Sequence, residues 1–196
     1  MLFRSAVLSD GTKVKNPRFY KKEQEKLAKA QRRASNLKKG SKERKRANKA
    51  VAKVHERIKN KRHNFVHQES RKLVDSYDIL VVEDLNVSNM LEQRNYSKSI
   101  SDASWSTFIH CLSYKAVNAG KKVINVDPAY TSQTCSGCGH KKKMPVKERT
   151  YTCGKCGLTL DRDLNASFNI LSVGTHTLTN LVVNTRGQED AGLVPA

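Results

Sequence analysis

The sequence predicts an α/β protein with a long basic helical hairpin and an inserted four-cysteine zinc ribbon, on three observations. Short apolar runs at residues 79–82 (ILVV) and 122–127 (KVINVD) alternate with stretches of helical period. Residues 17–72 form one helix-prone, cationic block. Two Cys-x-x-Cys pairs follow, Cys135/Cys138 and Cys153/Cys156.

The balance of charge bounds the function before any motif is read. In 196 residues, 37 Lys and Arg face 18 Asp and Glu, a formal charge of +19, which a folded chain tolerates best when its partner is a polyanion. DNA and RNA are the expected partners. The longest apolar run is the four residues ILVV, far short of the roughly 20 that a spanning helix needs, so no membrane partner is expected. The opening MLFRSAVLSDG lacks the apolar core of a secretory signal, so the expected location is the cytoplasm, in association with the nucleoid. In that reducing compartment, close cysteine pairs point to metal rather than disulfides, and Cys111 is left over.

Taken in order, AVLSDGTKVKNPRFY holds two β-prone runs joined by Asp10-Gly11, the dipeptide of a tight hairpin turn. Two helices follow, broken at LKKGSKE. In the second, Val51, Val54, Ile58, Phe65, Val66 and Leu73 recur at helical spacing and make an apolar stripe for packing on the first. Residues 17–72 carry 21 Lys or Arg and five Glu, which concentrates the positive charge there. ILVV is short enough for a strand buried on both faces and ends in Glu83-Asp84. Residues 105–119 read as a helix with Trp105, Phe108, Ile109 and Leu112 on its apolar side, and residues 122–127 as a strand. After the cysteines, residues 160–173 resume as a helix with Leu164, Phe168 and Leu171 on one face. The remaining residues, 174–196, have no usable period and are expected to fray.

Two constellations carry chemistry. The cysteine pairs are separated by 14 residues and followed by Gly139 and Gly157, the pattern of two turns that aim four thiolates at one Zn²⁺. Four sulfur ligands leave no open position, so the ion is structural; His140 is an alternative ligand that the four cysteines make unnecessary. The second constellation is acidic: Glu83 and Asp127 after strands, Asp161 and Asp163 at a helix start. If Glu83 and Asp163 converge, they offer Mg²⁺ the oxygen ligands that suit phosphodiester hydrolysis, although an aspartate there more commonly stabilises a helix N-terminus. His55, His63 and His67 read as polar-face residues of the long helix.

The segments IL-VVEDLNV, VDPAYTSQTCSGCG, YTCGKCG and LDRDLNASFNI, in that order, resemble the TnpB (OrfB) proteins of bacterial insertion sequences over about residues 6–171. Members of that family resemble type V CRISPR effectors. They are RNA-guided DNA endonucleases with a RuvC-type RNase H-like mixed sheet and a zinc ribbon inserted just before the last catalytic helix. The resemblance implies transposition or DNA recombination as the setting, guide RNA and DNA as partners, structural Zn²⁺ and catalytic Mg²⁺. It makes Glu83 the second catalytic carboxylate and Asp163 the third, with Asp161 a neighbour. The family's first catalytic Asp lies in an Asp-x-Gly motif on the strand before AVLSDG, where this chain has MLFRS. The expectation is therefore an N-terminally truncated core with two unpaired strand edges, one on the hairpin and one on the 79–82 strand.

The expected organisation is a truncated core over 1–133 with its basic hairpin at 17–76, a zinc ribbon at 134–157, the last helix at 158–173 and a tail at 174–196. The expected function is the C-terminal part of an RNA-guided nuclease that binds nucleic acid and zinc and does not cut alone. Two alternatives stand beside it: a DNA- or RNA-binding regulator without catalysis, and a split nuclease completed in trans by a separate N-terminal half.

Overall fold

A computed structural model describes residues 5–92, 104–145 and 148–189. Strands β1 (Ser5–Val7) and β2 (Lys13–Lys15) pair antiparallel, Ala6 opposite Val14. The turn between them needs Gly11, whose φ of 86° is open chiefly to glycine. Asp10 fixes it from both sides: Oδ1 accepts the Thr12 N–H at 2.7 Å, and Oδ2 accepts the Tyr77 hydroxyl at 2.6 Å. The second bond ties the hairpin to the end of the long helix.

Helices α1 (Phe19–Ser35) and α2 (Lys42–Ser76) form the antiparallel hairpin. Gly40 at φ 83° turns the chain, and the Ser41 hydroxyl oxygen caps α2 by accepting the Arg44 N–H at 3.1 Å. Leu27, Ala34, Ala47 and Ile58 are buried in the hairpin. Glu23 is buried there too, held by Lys61 Nζ at 2.8 Å. The 35 residues of α2 reach about 52 Å at 1.5 Å per residue, a rod with cations along its exposed sides.

Strands β3 (Ile79–Glu83) and β4 (Lys122–Val126) pair in parallel, Glu83 opposite Val126, and are joined through α3 (Val87–Glu92) and α4 (Trp105–Asn118). A parallel pair needs such a crossover, because a tight turn cannot reverse the chain twice. Val74, Leu80, Leu112 and Ala116 make the core between α2, β3 and α4. Lysines close it: Lys115 Nζ donates to the His67 carbonyl at 2.6 Å, and Lys121 Nζ to that of Val74 at 2.6 Å, where the negative end of the α2 dipole welcomes a cation. Strands β5 (Thr150–Thr152) and β6 (Thr159–Asp161) pair antiparallel, and α5 (Arg162–Glu189) then lies against β3 and β4.

Several expectations change. In place of one mixed sheet, the described residues hold three two-stranded sheets, so the RNase H-like sheet is not continuous among them. Ile79 is 46% exposed, so β3 is not buried on both faces. Of the residues assigned to the last helix, Thr159, Leu160 and Asp161 belong to β6. The same helix does not stop at Val173 but continues to Glu189, with the Thr175, Thr177 and Thr179 hydroxyls donating back to carbonyls three or four residues earlier. Of the expected tail, residues 190–196 lie outside the described residues, as do residues 1–4 of MLFRS. Phe168 and Leu171 are exposed, and the face of α5 that meets β3 is set by Gly174, where a side chain would collide with Val81.

Candidate active site and metal centre

Two turns build the thiol cluster. The Gly139 N–H donates to the Cys135 carbonyl at 2.9 Å and the Gly157 N–H to that of Cys153 at 3.1 Å; both glycines have positive φ, at 72° and 75°. The turns bring all four sulfurs within 4.8 Å of one another, with Cys135–Cys156 and Cys138–Cys153 Sγ pairs at 3.6 Å. The cluster can hold one metal ion. Backbone N–H groups of Cys156 and Lys155 aimed at Cys153 hold its thiol down at about 6. His140 serves through its carbonyl, which accepts from the Cys135 N–H at 2.9 Å and the buried Tyr151 hydroxyl at 3.1 Å; its ring is outside the cluster.

The ribbon is bolted to α5 by two asparagines one helical turn apart. Fully buried Asn165 accepts the Ser136 N–H at 2.9 Å and donates to the Thr134 carbonyl at 2.7 Å. Asn169 Nδ2 donates to the Thr131 and Thr134 carbonyls at 2.8 and 2.7 Å. Both residues lie inside DRDLNASFNI, where nothing but their i, i+4 spacing marks this role in the sequence.

The acidic residues separate by task. Asp161 caps α5: Oδ1 accepts the Asp163 N–H at 2.9 Å while Oδ2 meets Lys13 Nζ at 3.0 Å. Asp127 forms a local turn, its Oδ1 accepting the Ala129 N–H at 2.8 Å. Glu83 and Asp163 instead line one cleft. Glu83, at the end of β3, accepts the Thr131 hydroxyl at 2.7 Å. Burial pushes its carboxyl above the ordinary range, the Thr131 bond partly opposes this, and the charge of Asp163 pushes it further up. Asp163 faces two guanidinium groups, Arg149 Nη1 at 3.3 Å and Arg162 Nη2 at 3.1 Å. The cleft has a volume of about 650 Å³, and its lining also includes Ala6, Val7 and Leu8 of the hairpin and the whole of β3.

Comparison with known proteins places this geometry. Residues 4–94 match the family profile described as "Probable transposase" (OrfB of IS605), and residues 105–170 the profile described as "Cas12f1-like, TNB domain". A relative from Streptomyces pristinaespiralis, named as a candidate RNA-guided DNA endonuclease, is 40% identical over 85% of this chain and 42% of its own length. A second so named, InsQ of Escherichia coli K12, is 34% identical over 86% of this chain and 46% of its own. A TnpB-like protein of Methanocaldococcus jannaschii is 31% identical over 74% of this chain and 35% of its own. The chain thus spans less than half the length of these relatives. A Cas12f1 solved with guide RNA and target DNA shares the fold, with a TM-score of 0.57 at 16% identity over 81% of this chain and 43% of that one. The two profiles follow one another along the chain and the relatives run across both, so the chain belongs to the TnpB (OrfB) family.

Proposed function

We propose that this chain supplies two carboxylates of a RuvC-type nuclease centre, Glu83 and Asp163, within an RNA-guided DNA endonuclease that binds guide RNA and DNA. The observation that carries the reading is a division of labour. Asp161 and Asp127 hold backbone in place, whereas Glu83 and Asp163, eighty positions apart in sequence, share a cleft and hold no backbone turn or helix cap. Two carboxylates in a cleft suit Mg²⁺, which when bound supplies charge stabilisation and an activated water for phosphodiester hydrolysis. The residues do the positioning. Thr131 orients Glu83 through its hydroxyl, and Arg149 and Arg162 hold Asp163 and bring donors that match phosphate oxygens.

The thiol cluster fits structural Zn²⁺: ligands at 2.3 Å in a tetrahedron lie about 3.8 Å apart, close to the 3.6 Å sulfur pairs. Cys135, Cys138, Cys153 and Cys156 are the ligands in this reading. One zinc per chain is expected by elemental analysis, and an unchanged content in a Cys153→Ala variant would count against the assignment.

The cleft receives two carboxylates from the described residues, fewer than a two-metal clamp needs. The 196 residues alone are therefore expected to bind DNA without cutting it. Cleavage of labelled DNA is the test: adding the N-terminal half of a full-length relative and a guide RNA restores it, and Glu83→Ala or Asp163→Ala abolishes it. Mg²⁺-dependent cutting by these residues alone, sensitive to both substitutions, would overturn the account. A split nuclease completed in trans is the second reading, favoured by a cleft that the described residues supply with two carboxylates only. A purely regulatory binder leaves the Glu83–Asp163 convergence without a use. No described helix is long and apolar enough to cross a membrane.

A further inference from the structure

We propose that Tyr130 and Lys141 form a base-stacking platform that grips single-stranded nucleic acid next to Thr131, a residue that lines the Glu83–Asp163 cleft. The inference rests on the reading above, that the cleft acts on nucleic acid. Tyr130 has φ 62°, the left-handed region where glycine or asparagine costs least and a bulky side chain is an outlier. Its backbone is held there by three bonds to its carbonyl, from the Gln133 N–H at 2.9 Å, the Thr134 N–H at 3.0 Å and the Thr134 hydroxyl at 3.1 Å. The turn would be served as well by asparagine, so the ring is not there for the backbone.

Nor is it there for the core. The side chain is 57% exposed, and the partner of its ring is a cation, Lys141 Nζ at 4.5 Å from the centroid. Lys141 is placed by the backbone bridge between Thr134 and Lys141. An exposed aromatic ring with an ammonium beside it offers stacking to a base and charge to the adjoining phosphate, which is how single strands are held without reading sequence. The location gives this a purpose. Thr131, the next residue, donates to Glu83, so a base stacked on Tyr130 sits one residue along the chain from the group that orients a cleft carboxylate. The chemical class of the ligand is an unpaired nucleobase with its phosphate; a duplex hides the base faces.

The test compares fluorescently labelled oligothymidylate with a strand of equal length and charge carrying abasic sites, by anisotropy on the purified 196-residue chain. Wild type is expected to bind the base-bearing strand about ten-fold more tightly. Tyr130→Asn, which suits the left-handed backbone, should lose that preference while its melting temperature holds or rises. Tyr130→Trp should retain the preference, and Lys141→Gln should lower the salt dependence by about one phosphate contact. A structural role alone predicts the opposite, lower stability with unchanged base preference. Equal binding of the two strands by wild type, or wild-type preference in Tyr130→Asn, overturns the platform and leaves nucleic-acid binding standing. Failure of wild type to bind either strand takes down both. The wild-type strand comparison decides the matter even if a variant folds poorly.

Discussion

Glu83 carries its charge at a cost, because the end of β3 is sheltered and Asp163 adds a second negative charge to the same cleft. Its folded-state pKa is raised, so the stability associated with it is present in full below the ordinary carboxylate range. That stability is lost as pH rises through the raised value. Glu83→Gln removes the charge and keeps an oxygen for the Thr131 hydroxyl. We expect this variant to be more stable than wild type at neutral pH by on the order of 1 kcal/mol, with the gap closing in acid. Urea unfolding across pH measures it, and a gap independent of pH would refute the electrostatic cause. Asn165 shows the converse, a buried polar group fully used by the Ser136 N–H and Thr134 carbonyl. Asn165→Ala strands both partners and should cost about 2–3 kcal/mol, read from the same unfolding curves.

At the scale of elements, α5 holds the site together. Its first turn presents Asp163, its next turns bolt down the ribbon through Asn165 and Asn169, and Gly174 lets the helix settle on β3 behind Glu83. One helix therefore carries Asp163 and packs on the strand that carries Glu83. A methyl at position 174 meets the Val81 side chain and has no room to move aside within the helix. Gly174→Ala should destabilise the chain by about 1–3 kcal/mol despite alanine's better helix propensity, and Val81→Ala should recover part of that loss. Thermal unfolding of the two single variants and the double variant checks the coupling; additive effects would mean that the contact is not shared.

Over the whole molecule, the charge is unevenly spent. The α1–α2 hairpin carries most of the cations on exposed sides, while at the cleft end two arginines are paired with Asp163. The hairpin should therefore supply affinity and the cleft position. Binding to DNA or RNA is expected to fall steeply with salt. Replacing exposed Lys29, Arg33, Lys49 and Lys53 by Gln should flatten the log–log slope by up to about 4 without changing base preference. Anisotropy titrations over a salt series test this, and a slope unchanged in that variant would move the main interface off the hairpin.

The sequence by itself determined what depends on neighbours along the chain. Helical spacing and missing breakers set α1 and α2, Asp10-Gly11 set the hairpin turn, and two Cys-x-x-Cys-Gly turns set the thiol cluster, since each rests on local dihedrals and ligand spacing. The motif of the last helix pointed to an aspartate, yet periodicity could not separate Asp161 from Asp163. The family motif assigned Asp163 all the same, and the tertiary structure adds a physical distinction: one carboxylate is turned onto the helix N-terminus and Lys13, and the other lines a cleft with Glu83. The exposure of Ile79, the extension of α5 past Val173 and the separation of the strands into three sheets were likewise hidden, because each depends on which surface packs against which. Convergence of Glu83 and Asp163 is of the same kind: the chain between them, residues 84–162, carries no local mark of where its ends will meet, and packing of α5 on β3 through Gly174 decides it.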